Sequence, residues 1–175
     1  RQAVTIETRE NVQLAAATRQ AHLPLNPAAQ PECQREYMRF LEEERQRFNE
    51  MGDTLRAWDR EMRLAVAHYR LYHRERMKRP TVAASATAFG ITGKGISIGL
   101  VSEPAELFCA YGMRARQESP FGTTLILGLA NGFIGYVPTP NVYTEGGYES
   151  EATQVAPEAG DQLCDTMIAS LKACV

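Results

Sequence analysis

Two short apolar runs, Ile96 to Val101 and Thr124 to Leu129, each open into a polar turn carrying an oxygen-bearing side chain. The first run passes into Ser102-Glu103-Pro104-Ala105-Glu106. The second passes into Ala130-Asn131-Gly132 and then Gly135-Tyr136-Val137-Pro138. Both runs have the length and composition of strands. Between them, Ala105 to Gln117 reads as a helix with Leu107, Phe108, Tyr111 and Met113 among its apolar positions. Strand, helix, strand predicts a βαβ-like unit, and in such units ligands collect in the loops beyond the strand ends. Glu106 and Tyr136 fall at those ends. The remaining chemistry-bearing residues are scattered. His68 and His73 are five apart, not the three or four that share a helix face, and His22 reads as a loop residue. Cys33, Cys109, Cys164 and Cys174 show no C-x-x-C spacing, which argues against a cysteine zinc site. Cys164 and Cys174 on one helix would stand about 15 Å apart, beyond the roughly 7 Å Cα limit of a disulfide. They could pair only if that helix ended before Cys174. The loop Gly90 to Gly95 lacks the Ser/Thr after Lys94 and the following helix of a phosphate loop, and reads as a hairpin turn.

The segments "VSEPAELF", "GLANGFIGYVPTP" and "YTEGGYES" resemble the C-terminal part of the neutral/alkaline (non-lysosomal) ceramidase family, in its bacterial form without the terminal immunoglobulin-like domain. The likeness is strongest from Gly99 to Tyr148, continues into Ala156 to Gly160, and is looser from Arg1 to Arg79. In that family zinc is held by two His, one Glu and one Tyr, and the enzyme cleaves the N-acyl amide of ceramide. The family's Pro-Gly-Glu turn matches Pro104-Ala105-Glu106, with Ala105 where the family has glycine. Its Leu-x-Asn-x-x-x-x-Tyr segment matches Leu129, Asn131 and Tyr136. The resemblance therefore implies zinc as cofactor with Glu106 and Tyr136 as ligands, both hard oxygen donors suited to it. Glu103 is the competing carboxylate, and the step after proline favours Glu106. Without the resemblance, Tyr136 reads as a buried tyrosine bonded to the backbone. Tyr143 and Tyr148, flanking Glu145-Gly146-Gly147, either line a substrate entrance or brace a turn. The resemblance places the two zinc histidines and a catalytic serine in an N-terminal region with no counterpart here. The implied partners are that part of the same precursor, or a second chain, and an N-acyl lipid. A chain beginning at Arg1 fits a processed or partial polypeptide. Family membership would also imply a secreted, periplasmic or cell-surface location, where the four cysteines could form two disulfides. The alternative is a non-catalytic subunit that assembles through a long helix.

The elements that must position these residues read as a mixed α/β fold: a partial catalytic domain in three stretches. Residues 1–32 predict an N-terminal hairpin, over Ala3 to Ala15, and a linker through His22, Pro24, Pro27 and Pro31. Residues 33–79 predict one long helix. Tyr37, Leu41, Phe48, Met51, Leu55, Trp58, Met62, Ala65, Tyr69 and Tyr72 recur at steps of three and four, with Glu44 the one polar interruption, a heptad seam that continues across Gly52. At 1.5 Å per residue this helix would reach roughly 70 Å, so part of its seam is expected to pack on another chain. The basic residues near its end, from Arg60 to Arg79, read as a solvated face. Residues 80–175 predict the C-terminal half of the catalytic domain: strands Thr81 to Phe89 and Gly95 to Val101 as a hairpin, the βαβ-like unit, and a helix from Pro157 to about Ala173. The buried face of that last helix is Leu163, Met167, Ile168 and Leu171. Arg114 and Arg116 read as solvent-facing. At 175 residues the chain can bury a core. Its net charge of −2 gives no case for nucleic acid. Charge is uneven, with 15 Lys/Arg against 12 Asp/Glu in residues 1–80 and 4 against 9 thereafter. No apolar run approaches membrane-spanning length.

Overall fold

A computed structural model describes residues 11–76 and 80–175. The fold is mixed α/β, built on a four-stranded sheet in the order β1-β2-β3-β5. Strand β1 (Gln13–Pro24) pairs antiparallel with β2 (Thr81–Gly93) from Gln13↔Thr92 to Pro24↔Thr81. β2 turns through Lys94-Gly95 into β3 (Ile96–Ser102), with Gly95 at φ 73°. β3 then pairs parallel with β5 (Thr123–Leu127), the crossover being α3 (Cys109–Gln117). The predicted βαβ unit is therefore present. Its helix starts four residues late, because Glu106–Leu107 form a short strand, β4, paired parallel with β6 (Tyr136–Val137).

One face of the sheet carries small residues. Ala84, Ala86 and Ala88 of β2 and Val101 of β3 are fully buried beneath α6 (Ala159–Lys172). Alanine stubs let the helix approach closely, and Leu163, Met167 and Leu171 fill the space at no exposure. The Ser170 hydroxyl donates across the interface to the Ala86 carbonyl at 3.0 Å. Gly90 and Gly99 lie where any Cβ would strike Phe121. All four predicted apolar positions of the last helix are buried.

Two expectations are overturned. The stretch predicted as linker contains β1, a twelve-residue strand. Its LAAATRQAHLP run has Thr18 as its one β-branched residue, and its strand character comes from the ladder with β2, in which Ala15, Ala17, Ala21 and Leu23 face the core. The predicted N-terminal hairpin falls mainly on residues 1–10, outside the described residues; only its end enters β1.

The long helix is a helical hairpin: α1 (Pro31–Glu50) and α2 (Thr54–Arg76) pack on each other. Gly52, at φ 72°, takes the left-handed conformation that closes a helix. The Asp53 N–H donates to the Phe48 carbonyl at 2.9 Å, and the Asp53 carboxylate caps α2 by accepting from the Arg56 N–H at 3.1 Å. The turn is less than one helical turn long, so the apolar period passes through it unbroken. The seam itself is buried only in α1, at Leu41 and Phe48. In α2 the buried stripe is Ala57, Leu64, Ala67 and Arg70, while Leu55, Trp58, Met62 and Tyr72 face outward. Arg45 pairs with Glu61 across the two helices, and Phe48 lies beneath Arg47, Arg56 and Arg60, each 5.4 Å from its ring. The basic end is thus not wholly solvated: Arg70 is buried, and desolvation lowers its guanidinium pKa against the pull of Tyr37 and Tyr143. Among the described residues no helix is long and apolar enough to cross a membrane.

Candidate functional site

The two parallel strands β3 and β5 end side by side, and the chain beyond each is knitted to the other by main-chain hydrogen bonds. Glu103 N–H donates to Leu127 O at 3.0 Å, Ala130 N–H to Glu103 O at 2.9 Å, and Ile134 N–H to Pro104 O at 2.9 Å. Glu106 N–H then donates to Gly135 O at 3.0 Å, and Phe108 N–H to Val137 O at 3.2 Å. These bonds set Glu106 directly opposite Tyr136. The loop that delivers Tyr136 is tight: Leu129 and Asn131 both have positive φ, at 55° and 63°, and Gly135 has φ 76°. For a leucine this conformation costs on the order of 1–2 kcal/mol. The surrounding bonds hold it.

Glu103 and Glu106 lie in different environments. Glu103 is 1% exposed; its carboxylate accepts the Ala105 N–H at 2.6 Å, and burial pushes its pKa up to about 7 despite that bond. Ala105 is fully buried with negative φ, so this turn does not require glycine. Glu106 is half-buried and forms part of the wall of a cavity of about 400 Å³. Tyr136 lines the same cavity beside Glu106. The hydrogen-bonding pull of the Glu106 carboxylate, then partial desolvation and the carboxylate's charge, holds the phenol above its ordinary pKa.

The other cavity walls come from distant elements. Tyr148, at the start of α5 (Tyr148–Ala152), meets Tyr136 edge-on, with ring centroids 5.7 Å apart and planes at 81°. Val66 and Tyr69 of α2 close one side and Phe133 another. Burial, then Tyr148 and Glu106, raise the Tyr69 phenol. An Arg63–Glu151 ion pair ties α2 to α5 beside the cavity. Tyr69 carried no functional signal in the sequence, where it counted as a seam position. Only the hairpin brings it to Glu106.

Tyr143, on α4 (Val142–Glu145), is not among the cavity-lining residues; its hydroxyl donates to the Val155 carbonyl at 2.9 Å. Thr153 secures the strand beneath the site by donating to the Tyr136 carbonyl at 2.7 Å. His22 is exposed on β1 opposite Ala83, and His68 is exposed on α2. Arg114 is not free in solvent: it bridges α3 to Asp161 and Asp165 of α6, at 3.3 and 2.5 Å. All four cysteines are free thiols.

Among the described residues no cluster of three or more His, Cys, Asp or Glu side chains converges. The site therefore offers two oxygen donors, a carboxylate and a phenol on neighbouring strands, in the wall of an aromatic-lined cavity. That donor pair fits half the coordination of a hard or borderline cation such as zinc. Comparison with protein families, characterised proteins and solved structures returned no match.

Proposed function

We propose that the chain is the C-terminal portion or subunit of a zinc-dependent amide hydrolase of the ceramidase type. Glu106 and Tyr136 are its share of the metal ligands, and the remaining ligands come from another chain or another part of a longer precursor. The observation that supports this most is the direct pairing of Glu106 with Tyr136, two residues thirty apart in sequence, at the ends of parallel strands and inside a cavity. A bound zinc would supply an activated water and a polarised amide carbonyl. This chain's residues would hold and shield that chemistry. The Glu106–Tyr136 strand pairing would set both oxygens in one cavity wall before metal arrives, and Tyr148 meets the Tyr136 ring edge-on. Val66, Phe133 and Ala152 form an apolar wall suited to an acyl chain.

Metal analysis of the native assembly, combined with release of fatty acid from a fluorogenic N-acyl sphingosine analogue, tests the proposal. The wild-type assembly should carry zinc and turn over the probe. Glu106→Gln and Tyr136→Phe should each weaken zinc binding roughly tenfold or more, about 1.4 kcal/mol, and abolish turnover. A native assembly without zinc that leaves the probe intact would sink the hydrolase reading. A second reading, a non-catalytic subunit that assembles through α2, is favoured by the outward-facing Leu55, Trp58, Met62 and Tyr72. A metal-free assembly disrupted by Trp58→Lys would establish it.

A further inference from the structure

Glu106 also stands in the wall of a second cavity, of about 410 Å³, which shares no other lining residue with the first. It lies at the carboxyl ends of the parallel strands β3 and β5. Glu103 and Gly128, each just beyond its strand end, line one side, and the crossover helix α3 lines another. Ligands of parallel α/β units bind in that crevice. At about 30 Å³ per water the cavity would hold roughly a dozen waters, the size of a compact small molecule rather than a polypeptide segment.

The most deeply buried polar side chain in its wall is Glu103, at 1% exposure. Its Oε2 accepts the Ala105 N–H at 2.6 Å, and its Oε1 has no hydrogen-bond or ion-pair partner among the described residues. Oε1 lies over Gly128, where a Cβ would stand 3.1 Å away. Gly128 does not have positive φ, so the backbone does not demand glycine there; its missing side chain leaves the oxygen room. A buried carboxyl is costly unless a donor or a cation meets it. Burial has pushed this one up because nothing in the fold supplies a counter-charge.

The other lining residues narrow what could supply it. Leu107, Phe108, Met113, Ile126 and Leu129 make the wall largely apolar, and Glu106 adds a second carboxylate. The one cation among the lining residues, Arg116, is exposed, and its Nε donates to the Thr124 carbonyl at 3.3 Å. Two carboxylates against one cation disfavour an anionic ligand. Phe108 and Met113 offer polarisable surface to an apolar body.

We propose that this second cavity binds a compact organic ammonium ion, its charged head on Glu103 Oε1 and its apolar body against Phe108, Met113 and Leu129. The site stands apart from the metal proposal, because it needs neither zinc nor a second chain.

Cys109, at the start of α3, is exposed and lines the cavity, whereas Cys33 on α1 is exposed and outside it. The rates at which iodoacetamide alkylates the two, read by mass spectrometry on the full chain in the presence of EDTA, therefore report occupancy with an internal control. Phenethylammonium, phenethyl alcohol and hydrocinnamate are three probes with one apolar body and different heads. The ammonium should protect Cys109 saturably, at a half-saturating concentration at least about tenfold below that of the other two, and leave Cys33 unchanged. Glu103→Gln should make the ammonium no better than the alcohol. Gly128→Ala, which sets a methyl against Oε1, should remove the same preference with unchanged circular dichroism. Equal protection by all three probes would describe an apolar crevice and overturns the inference. So does no protection at all, or an ammonium preference that survives Glu103→Gln.

Discussion

Two carboxylates three residues apart do different work because one side chain is sealed in and the other is not. Glu103 lies under Gly128, where a Cβ would stand 3.1 Å from its Oε1, and its other oxygen takes the Ala105 N–H. It holds the turn that aims Glu106. Burial raises its pKa from the 4.5 of an unfolded chain to about 7. Between those values the folded protein holds a proton that the unfolded chain has released. Stability is therefore fully present below the window and falls as pH rises through it, by at most about 3 kcal/mol. Glu103→Gln keeps an acceptor for Ala105 and cannot ionise. Urea midpoints on either side of the window should differ less for this variant than for the wild type. Equal slopes would mean that the carboxyl is already ionised in the fold. Placement one residue after the Pro104-Ala105 step favours Glu106 over Glu103 as a ligand, but the burial that separates the two could not be read from the residues themselves.

At the scale of elements, what was legible was periodicity within a segment, and what was lost was the direction of the chain between segments. The βαβ unit and the last helix follow from apolar patterns that the tertiary fold respects, at Val101, Leu163, Met167 and Leu171. The hairpin at Gly52 was hidden because a short turn preserves heptad phase, and β1 because alanine carries little strand signal. Tyr69 reached the site only through that hairpin, so its role was illegible too. Two glycine substitutions separate conformational from packing effects. Gly52→Ala meets empty space but must hold φ 72°, and should cost about 1 kcal/mol. Gly52→Asn should recover part of this. Gly160 begins α6 beside Tyr111, where a Cβ would come within 2.2 Å of the ring and hydroxyl. Gly160→Ala should cost about 1–3 kcal/mol through overpacking. Chemical denaturation reads both. A Gly52→Ala variant as stable as wild type would restore the single continuous helix.

For the molecule as a whole, α6 is the element whose loss would open everything else: it covers β1, β2 and β3, with one buried thiol, Cys164, in its second turn and another, Cys174, just beyond its end. The Cys164 thiol donates to the Tyr111 carbonyl at 3.4 Å, and the Cys174 thiol to the Ala88 carbonyl at 3.6 Å. Burial pushes Cys164 up to about 11 and raises Cys174 as well, so neither offers a thiolate near neutrality. Cys33 and Cys109 are exposed. An aromatic disulfide reagent at neutral pH should therefore titrate Cys33 and Cys109 quickly and the two buried thiols slowly. The slow phase should accelerate with urea along the slope of global unfolding, because exposing Cys164 requires lifting α6 off the sheet. Cys174 lies just past the helix end, and its reaction ahead of Cys164 would show the helix fraying from that terminus while its first turns stay anchored through Arg114 to Asp161 and Asp165. One fast phase for all four thiols would mean that α6 does not seal the core. The sheet would then lack a stable cover on the face that carries Ala84, Ala86, Ala88 and Val101.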